Sequence, residues 1–168
     1  MKLTKIVTLA ASIIFGLGLS YSVMAEDGAT IDEVTAKVKE AAATIAKAED
    51  KEAAIKEFEG KSEKWAWKDT YVFVFTCKGD KAIAHPTLAG KTIMDLKDKA
   101  DNLIFAGDTG LCKAAEQTAG GWSAYMWSKT AGEAPSAKAT FAMKVEGTDY
   151  EVAAGIYAEK KVENFQLK

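Results

Sequence analysis

The sequence predicts an α+β fold built on an antiparallel sheet, and three observations predict it. Apolar residues recur at spacings of three and four across residues 31–58, the period of an amphipathic helix. Beyond residue 70, about five short stretches are rich in aromatic and β-branched side chains, with Gly, Pro and Asp between them. Helical and strand patterns are segregated along the chain, whereas a parallel sheet would alternate them.

Residues 1–25 have the layout of a signal peptide. Lys2 and Lys5 precede an uncharged run from Ile6 to Ser20, and Val23-Met24-Ala25 supplies the −3 and −1 positions of a cleavage site. The run is about 15 residues, short of the ~20 that span a bilayer; an uncleaved anchor is the rival reading. Cleavage after Ala25 leaves residues 26–168 as one domain, periplasmic or secreted, with no later apolar run long enough to cross a membrane.

Thr30 with Glu33 three residues on is a capping box, and Ile31, Val34, Val38, Ala41, Ile45 and Ala48 draw one stripe behind it. Asp50 can cap a continuation carrying Ile55 and Phe58, with Gly60 as the helix end. Tyr71–Thr76 reads as one uninterrupted strand buried on both faces. Lys78-Gly79-Asp80 turns it back into Lys81–Ala84, which His85-Pro86 stops. Residues 87–110 mix Gly, Asp and Lys with isolated apolar side chains, a loop-rich crossover leading to a brief helix near 109–118. Three strands close the pattern at Trp122–Trp127, Lys138–Val145 and Tyr150–Tyr157, with turns at Gly132, Pro135 and Gly147. The long helix would bury its stripe on one sheet face, and the crossover would cover the other, where a cavity can form.

All 24 acidic residues follow position 25 and two of the 22 basic ones precede it, so residues 26–168 carry a net charge of −4. Every basic residue is Lys. Scattered lysines on a mildly acidic chain give no electrostatic footprint for nucleic acid. Cys77 and Cys112 in an exported chain are expected to form a disulfide, closing a loop of about 36 residues worth ~4 kcal/mol in the chain-entropy model; two free buried thiols are the alternative. A single His rules against a zinc site, and no metal or cofactor is implied. Asp95, Asp98, Asp101 and Asp108 do not have the spacing of a calcium loop and read as a solvated charge run. No nucleophile elbow, haem motif or phosphate loop is present, so an enzyme is not expected.

Several short motifs then occur in a fixed order: Tyr71-Val-Phe-Val-Phe, Ala84-His85-Pro86, Gly90-Lys91, Asp95-Leu96-Lys97-Asp98, Gly121-Trp122, Tyr125-Met-Trp127, Pro135-Ser-Ala-Lys138 and Ala154-Gly155-Ile-Tyr157. This series, spanning about 70–157, resembles the single Cache family, in which stand-alone exported members occur. The resemblance implies a PAS-like antiparallel sheet behind a long N-terminal helix, a small-molecule pocket on the opposite face, and small carboxylates as ligands. It also implies a disulfide between the hairpin and the crossover helix, as a subset of the family has.

Strand alternation puts Ser123, Tyr125 and Trp127 on one face and Trp122, Ala124 and Met126 on the other. Tyr125 and Trp127 combine an apolar body with a polar tip, as a pocket wall needs. Lys138 opens the next strand and can lie opposite this pair; without Arg, a buried carboxylate must pair with Lys. His85 offers a hydrogen bond and a charge that changes near neutral pH. The resemblance assigns Lys138, Tyr125, Trp127 and His85 to the pocket region. Against this, Lys138 can be merely solvated, the two aromatics ordinary core, and His85 a cap for its turn. Tyr71, Tyr157, Trp65 and Trp67 read as core.

Three positions depart from the family pattern. Phe141 replaces a Tyr, removing a candidate ligand hydroxyl; Ser128 replaces a Pro after the Trp, loosening that loop; Lys99-Ala100-Asp101 replaces an Asp-Gly turn. The expected function is binding of a small organic acid, with a separate membrane receptor, kinase or transporter as partner. A protein-interaction module with a vestigial pocket is the alternative.

Overall fold

The computed structural model describes residues 28–59, 62–130 and 132–158. The leader expected at 1–25 and the helix end expected at Gly60 lie outside them.

Helix α1 (Ile31–Lys47) begins at the capping box: Thr30 Oγ1 accepts from the Glu33 amide at 3.2 Å, and Glu33 Oε2 accepts from the Thr30 amide at 2.8 Å. Val34, Val38, Ala41 and Ile45 are buried, while Ile31, at the head of the stripe, remains exposed. Asp50 caps α2 (Lys51–Lys56) through the Ala53 amide, and Ile55 and Phe58 carry the apolar face onward.

The segment 71–76 is not one strand. β1 (Ala66–Trp67) and β2 (Thr70–Tyr71) form a separate two-stranded hairpin, whose tip holds Lys68 at φ +48°. Val72 donates its amide to the Trp65 carbonyl, and only β3 (Phe73–Thr76) enters the main sheet. The cause lies upstream, where Trp65 is buried against Phe58 with ring centroids 4.5 Å apart and holds this hairpin to the helices. Trp65 is core as expected; Trp67 is half-buried.

β4 (Lys81–Ala84) pairs back on β3. The short helix α3 (Leu111–Ala115) precedes β5 (Gly121–Trp127), β6 (Ser136–Lys144) and β7 (Glu151–Ala158). The main sheet has five strands in the order β4-β3-β7-β6-β5, all antiparallel. Thus β7, which ends the β5–β6–β7 meander, joins it to the β3–β4 hairpin by pairing with β3. α1 lies against β6 and β7 on one face, burying an apolar core with Val72, Val74, Phe141 and Val152. A second core, with Phe73, Phe75, Ile93, Ile104, Phe105 and Leu111, lies between the opposite face and the crossover.

The crossover is fastened at several points. Asp80 Oδ1 accepts from the amides of Ile93 and Met94, both at 2.8 Å. Ala82 exchanges backbone hydrogen bonds with Lys91 and Gly90 along the outer edge of β4. The Cys77–Cys112 disulfide, with Cα atoms 5.9 Å apart, ties the hairpin turn to α3. Asp98 accepts from the amides of Ala100, Asn102 and Met126, joining the crossover to β5. Burial alone would push its carboxyl up, but these donors outweigh it and hold the group below its ordinary range. Asp98 is therefore a structural tether, not part of a solvated charge run.

Candidate ligand-binding site

A cleft of about 430 Å³ opens between the crossover, the end of β5 and the loop that follows it. Tyr71, Pro86 and Thr87 form one side, Lys97, Asp98 and Lys99 another, and Met126 to Thr130 a third. Of the four residues that the sequence nominated, only Trp127 lines it. Lys138, Tyr125 and His85 are buried one layer behind, in contact with the lining.

Lys138 is 1 % exposed. It faces Tyr125 across β5–β6 and Tyr157 across β6–β7, so one register brings all three side chains to the crossover face. Its Nζ lies 4.5 Å from the Tyr71 ring centroid, 4.9 Å from Tyr157 and 5.8 Å from Phe73. Among the described residues it has no hydrogen bond and no ion pair; Asp69 is the nearby charge that acts on it. Burial pushes the ammonium down to about 7, and the Asp69 charge opposes that only partly. Three rings supply cation–π attraction, about 2 kcal/mol or more each where desolvated, which is less than full hydration provides.

Space for this side chain comes from Gly155. A Cβ there would stand 2.7 Å from Lys138 Cε, 2.5 Å from Thr140 Oγ1 and 2.8 Å from the Ala139 carbonyl. The bare backbone of β7 thus forms the bed on which the lysine lies. Thr70 donates its hydroxyl to the Gly155 carbonyl and fixes that stretch to the β1–β2 hairpin.

His85 caps its own turn. Nδ1 accepts from the amides of Thr87 at 3.1 Å and Leu88 at 3.2 Å, which leaves the proton on Nε2. Nε2 then donates to the Tyr71 hydroxyl over a long 3.4 Å. Burial, followed by the charges of Lys138 and Lys91, pushes the imidazole down to about 3. The expected charge change near neutral pH is therefore corrected. The ring stays neutral because two backbone donors already occupy the nitrogen that a proton would need, in a buried place beside two cations. What His85 does offer is orientation: with its oxygen accepting from His85, the Tyr71 hydroxyl can direct its own proton elsewhere.

Tyr125 and Trp127 share one face, as alternation required, with ring centroids 6.3 Å apart, and Trp127 also packs edge-on against His85. The Tyr125 hydroxyl is hydrogen-bonded to Thr140 Oγ1 at 2.9 Å, and burial holds its pKa well above the phenol range. Tyr71 is pushed up to about 12 by burial, and Tyr157 is raised further, again by burial first. All three phenols stay protonated and can donate.

Tyr71 and Tyr157, read from sequence as core, supply the two rings nearest the lysine nitrogen. A sequence signal for one existed: a β6–β7 hairpin centred on Gly147 puts Lys138 opposite Tyr157. Phe141 is also corrected. It stands three residues from Lys138, hence on the opposite face, and packs on Trp122 at 5.4 Å within the helix-side core. No ligand hydroxyl is lost by its being Phe. Ser128 does not leave its loop untied: its Oγ donates to the Glu133 carbonyl, and its own carbonyl accepts from Tyr157.

The fold is similar to three solved structures. One is a methyl-accepting chemotaxis protein from Vibrio parahaemolyticus RIMD 2210633, at TM-score 0.61 and 22 % identity over 76 % of this chain and 88 % of that one. A second, described for carboxylic acid recognition by a Cache chemosensory domain, gives 0.60 and 21 % over 76 % and 92 %. The third, a periplasmic sensor domain of a chemotaxis protein, gives 0.55 and 19 % over 74 % and 87 %. At such identities the likeness is one of fold. Curated protein sequences give no match. A model of the Cache domain matches residues 27–161, most of the chain, and with the helix-backed five-stranded sheet already described it follows that this chain belongs to the Cache domain family.

Proposed function

We propose that this chain is an extracytoplasmic sensor domain that binds a small carboxylate and works with a separate membrane receptor, kinase or transporter. The observation that carries this reading is the Lys138 ammonium: buried, without an ion-pair partner among the described residues, and touching the aromatic wall of a cleft. A buried charge lacking its counter-charge is costly, and an entering anion removes that cost. Lys138 would neutralise the ligand, Trp127 and Tyr71 would wall it, Tyr71 would donate a hydrogen bond with His85 behind it, and Tyr125 would hold the floor through Thr140. No bond is made or broken in this scheme. The chemosensory neighbours, one of them described for carboxylic acid recognition, support the reading.

Binding must be linked to protons. The anion requires charged Lys138, whose pKa of about 7 in the empty site rises once the anion is bound. Above pH 7 each binding event therefore draws in a proton, and affinity falls by up to about tenfold per pH unit. Thermal-shift titration of the purified protein with two- to four-carbon carboxylates at pH 6.5 and 8.5 tests this. Occupancy at 100 times Kd adds about 2.7 kcal/mol. The expected result is a rise in melting temperature that is larger at pH 6.5. A response to amines or amino acids but to no simple carboxylate would sink the lysine–anion reading and leave a pocket that serves another ligand or none.

A further inference from the structure

The Lys138 ring cage holds a second cation. Lys129, which lines the cleft, places its Nζ 5.4 Å from the Tyr157 ring centroid, while Lys138 Nζ lies 4.9 Å from the same ring. The two ammonium groups are therefore no more than about 10 Å apart, one at the mouth and one behind the wall. Tyr157 cannot swing freely between them, since its hydroxyl donates to the Ser128 carbonyl next to Lys129. Both cations are served by one carboxylate, Asp69. Its Oδ2 lies 3.4 Å from Lys129 Nζ, and its charge is the one that acts on Lys138. One resident anion for two closely spaced cations leaves the cluster a unit of positive charge in excess, within a cleft whose volume far exceeds that of acetate.

Building on the carboxylate reading, we infer that Lys129 is a second anion-binding position and that the preferred ligand is a short dicarboxylate. The two nitrogens lie within about 10 Å of each other, a gap that a short dicarboxylate can bridge with an ion-pair contact at each end. One carboxylate takes the vacant partnership of Lys138, and the other displaces Asp69 from Lys129. A monocarboxylate satisfies the first and leaves Lys129 with Asp69.

Calorimetric titration of the purified protein at pH 6.5 with straight-chain mono- and dicarboxylates of two to six carbons tests this. The dicarboxylate of best length is expected to bind about ten- to a hundredfold more tightly than any monocarboxylate, the range of one charge-assisted contact. In Lys129→Gln that advantage shrinks to within about twofold. Equal affinity for the two series, or an advantage that survives in Lys129→Gln, overturns the inference while leaving the carboxylate reading intact. Binding by neither series is a different result and overturns both.

Discussion

At the scale of single residues, the site is a set of side chains held against their ordinary preferences. Lys138 has a folded-state pKa of about 7 against 10.5 for a free lysine. Between those values the unfolded chain holds more protons than the folded one, so stability of the ligand-free protein rises as pH climbs from about 7 to 10. Lys138→Met keeps the volume and removes the charge. It is expected to raise stability at pH 6.5 by about 1–4 kcal/mol, to flatten the alkaline rise, and to abolish carboxylate binding. Chemical denaturation at pH 6.5 and 9 checks it. Gly155→Ala should do the reverse, costing about 1–3 kcal/mol as its methyl group meets Lys138 Cε and Thr140 Oγ1, and weakening binding because the ammonium must shift. Melting and titration of that variant together check it. A variant as stable and as tight-binding as the parent would mean the lysine does not lie where the geometry puts it. How far these residues were legible depends on what fixes them. Lys138 beside Tyr125 follows from strand alternation and a short connection, both written in the sequence. The neutrality of His85 does not, because it depends on where the Thr87 and Leu88 amides point. Phe141 lies an odd number of positions from Lys138 along β6, and an odd spacing in a strand is a change of face, so the motif alone does not place it at the cleft.

Among the elements, strongly patterned ones were legible and short ones were not. The capping box at Thr30, the N-cap at Asp50 and the three C-terminal strands stand within one or two residues of their expected bounds. β1 and β2 are two residues each, too short to carry any period that would set them apart from their surroundings. The crossover has no periodicity at all; its shape is made by tethers from Asp80, Asp98 and the disulfide. Reduction, or Cys77→Ser with Cys112→Ser, releases the tether at α3. The expected cost is up to about 4 kcal/mol, with hydrogen exchange rising in residues 86–115 before the α1 side of the sheet responds. Uniform exchange across both faces would show that the crossover is not a separately fastened layer. Asp69 links elements in another way. Its Oδ1 accepts from the Ala29 amide just before α1, while Oδ2 meets Lys129 in the cleft. A ligand that draws Lys129 away therefore alters the electrostatic setting of the α1 start, a short path from pocket to helix.

For the whole molecule, the sheet divides two tasks. Its α1 face is an apolar core that gives stability, and its crossover face trades some stability for a cavity and a cation without an ion-pair partner among the described residues. The segregated order of helix and strands announces that division, and the five-strand order, with β7 in the middle, is the part that only the folded chain displays. One further property follows from the pairing of Ala82 with Lys91 and Gly90. The flank of β4, where a foreign peptide would otherwise be accepted as a sixth strand, has Ala82's donor and acceptor already engaged by the chain itself. At the far flank, Asp98 engages the Met126 amide. An incoming strand therefore finds its ladder interrupted at Ala82 on one side and at Met126 on the other, which discourages one copy from templating the next.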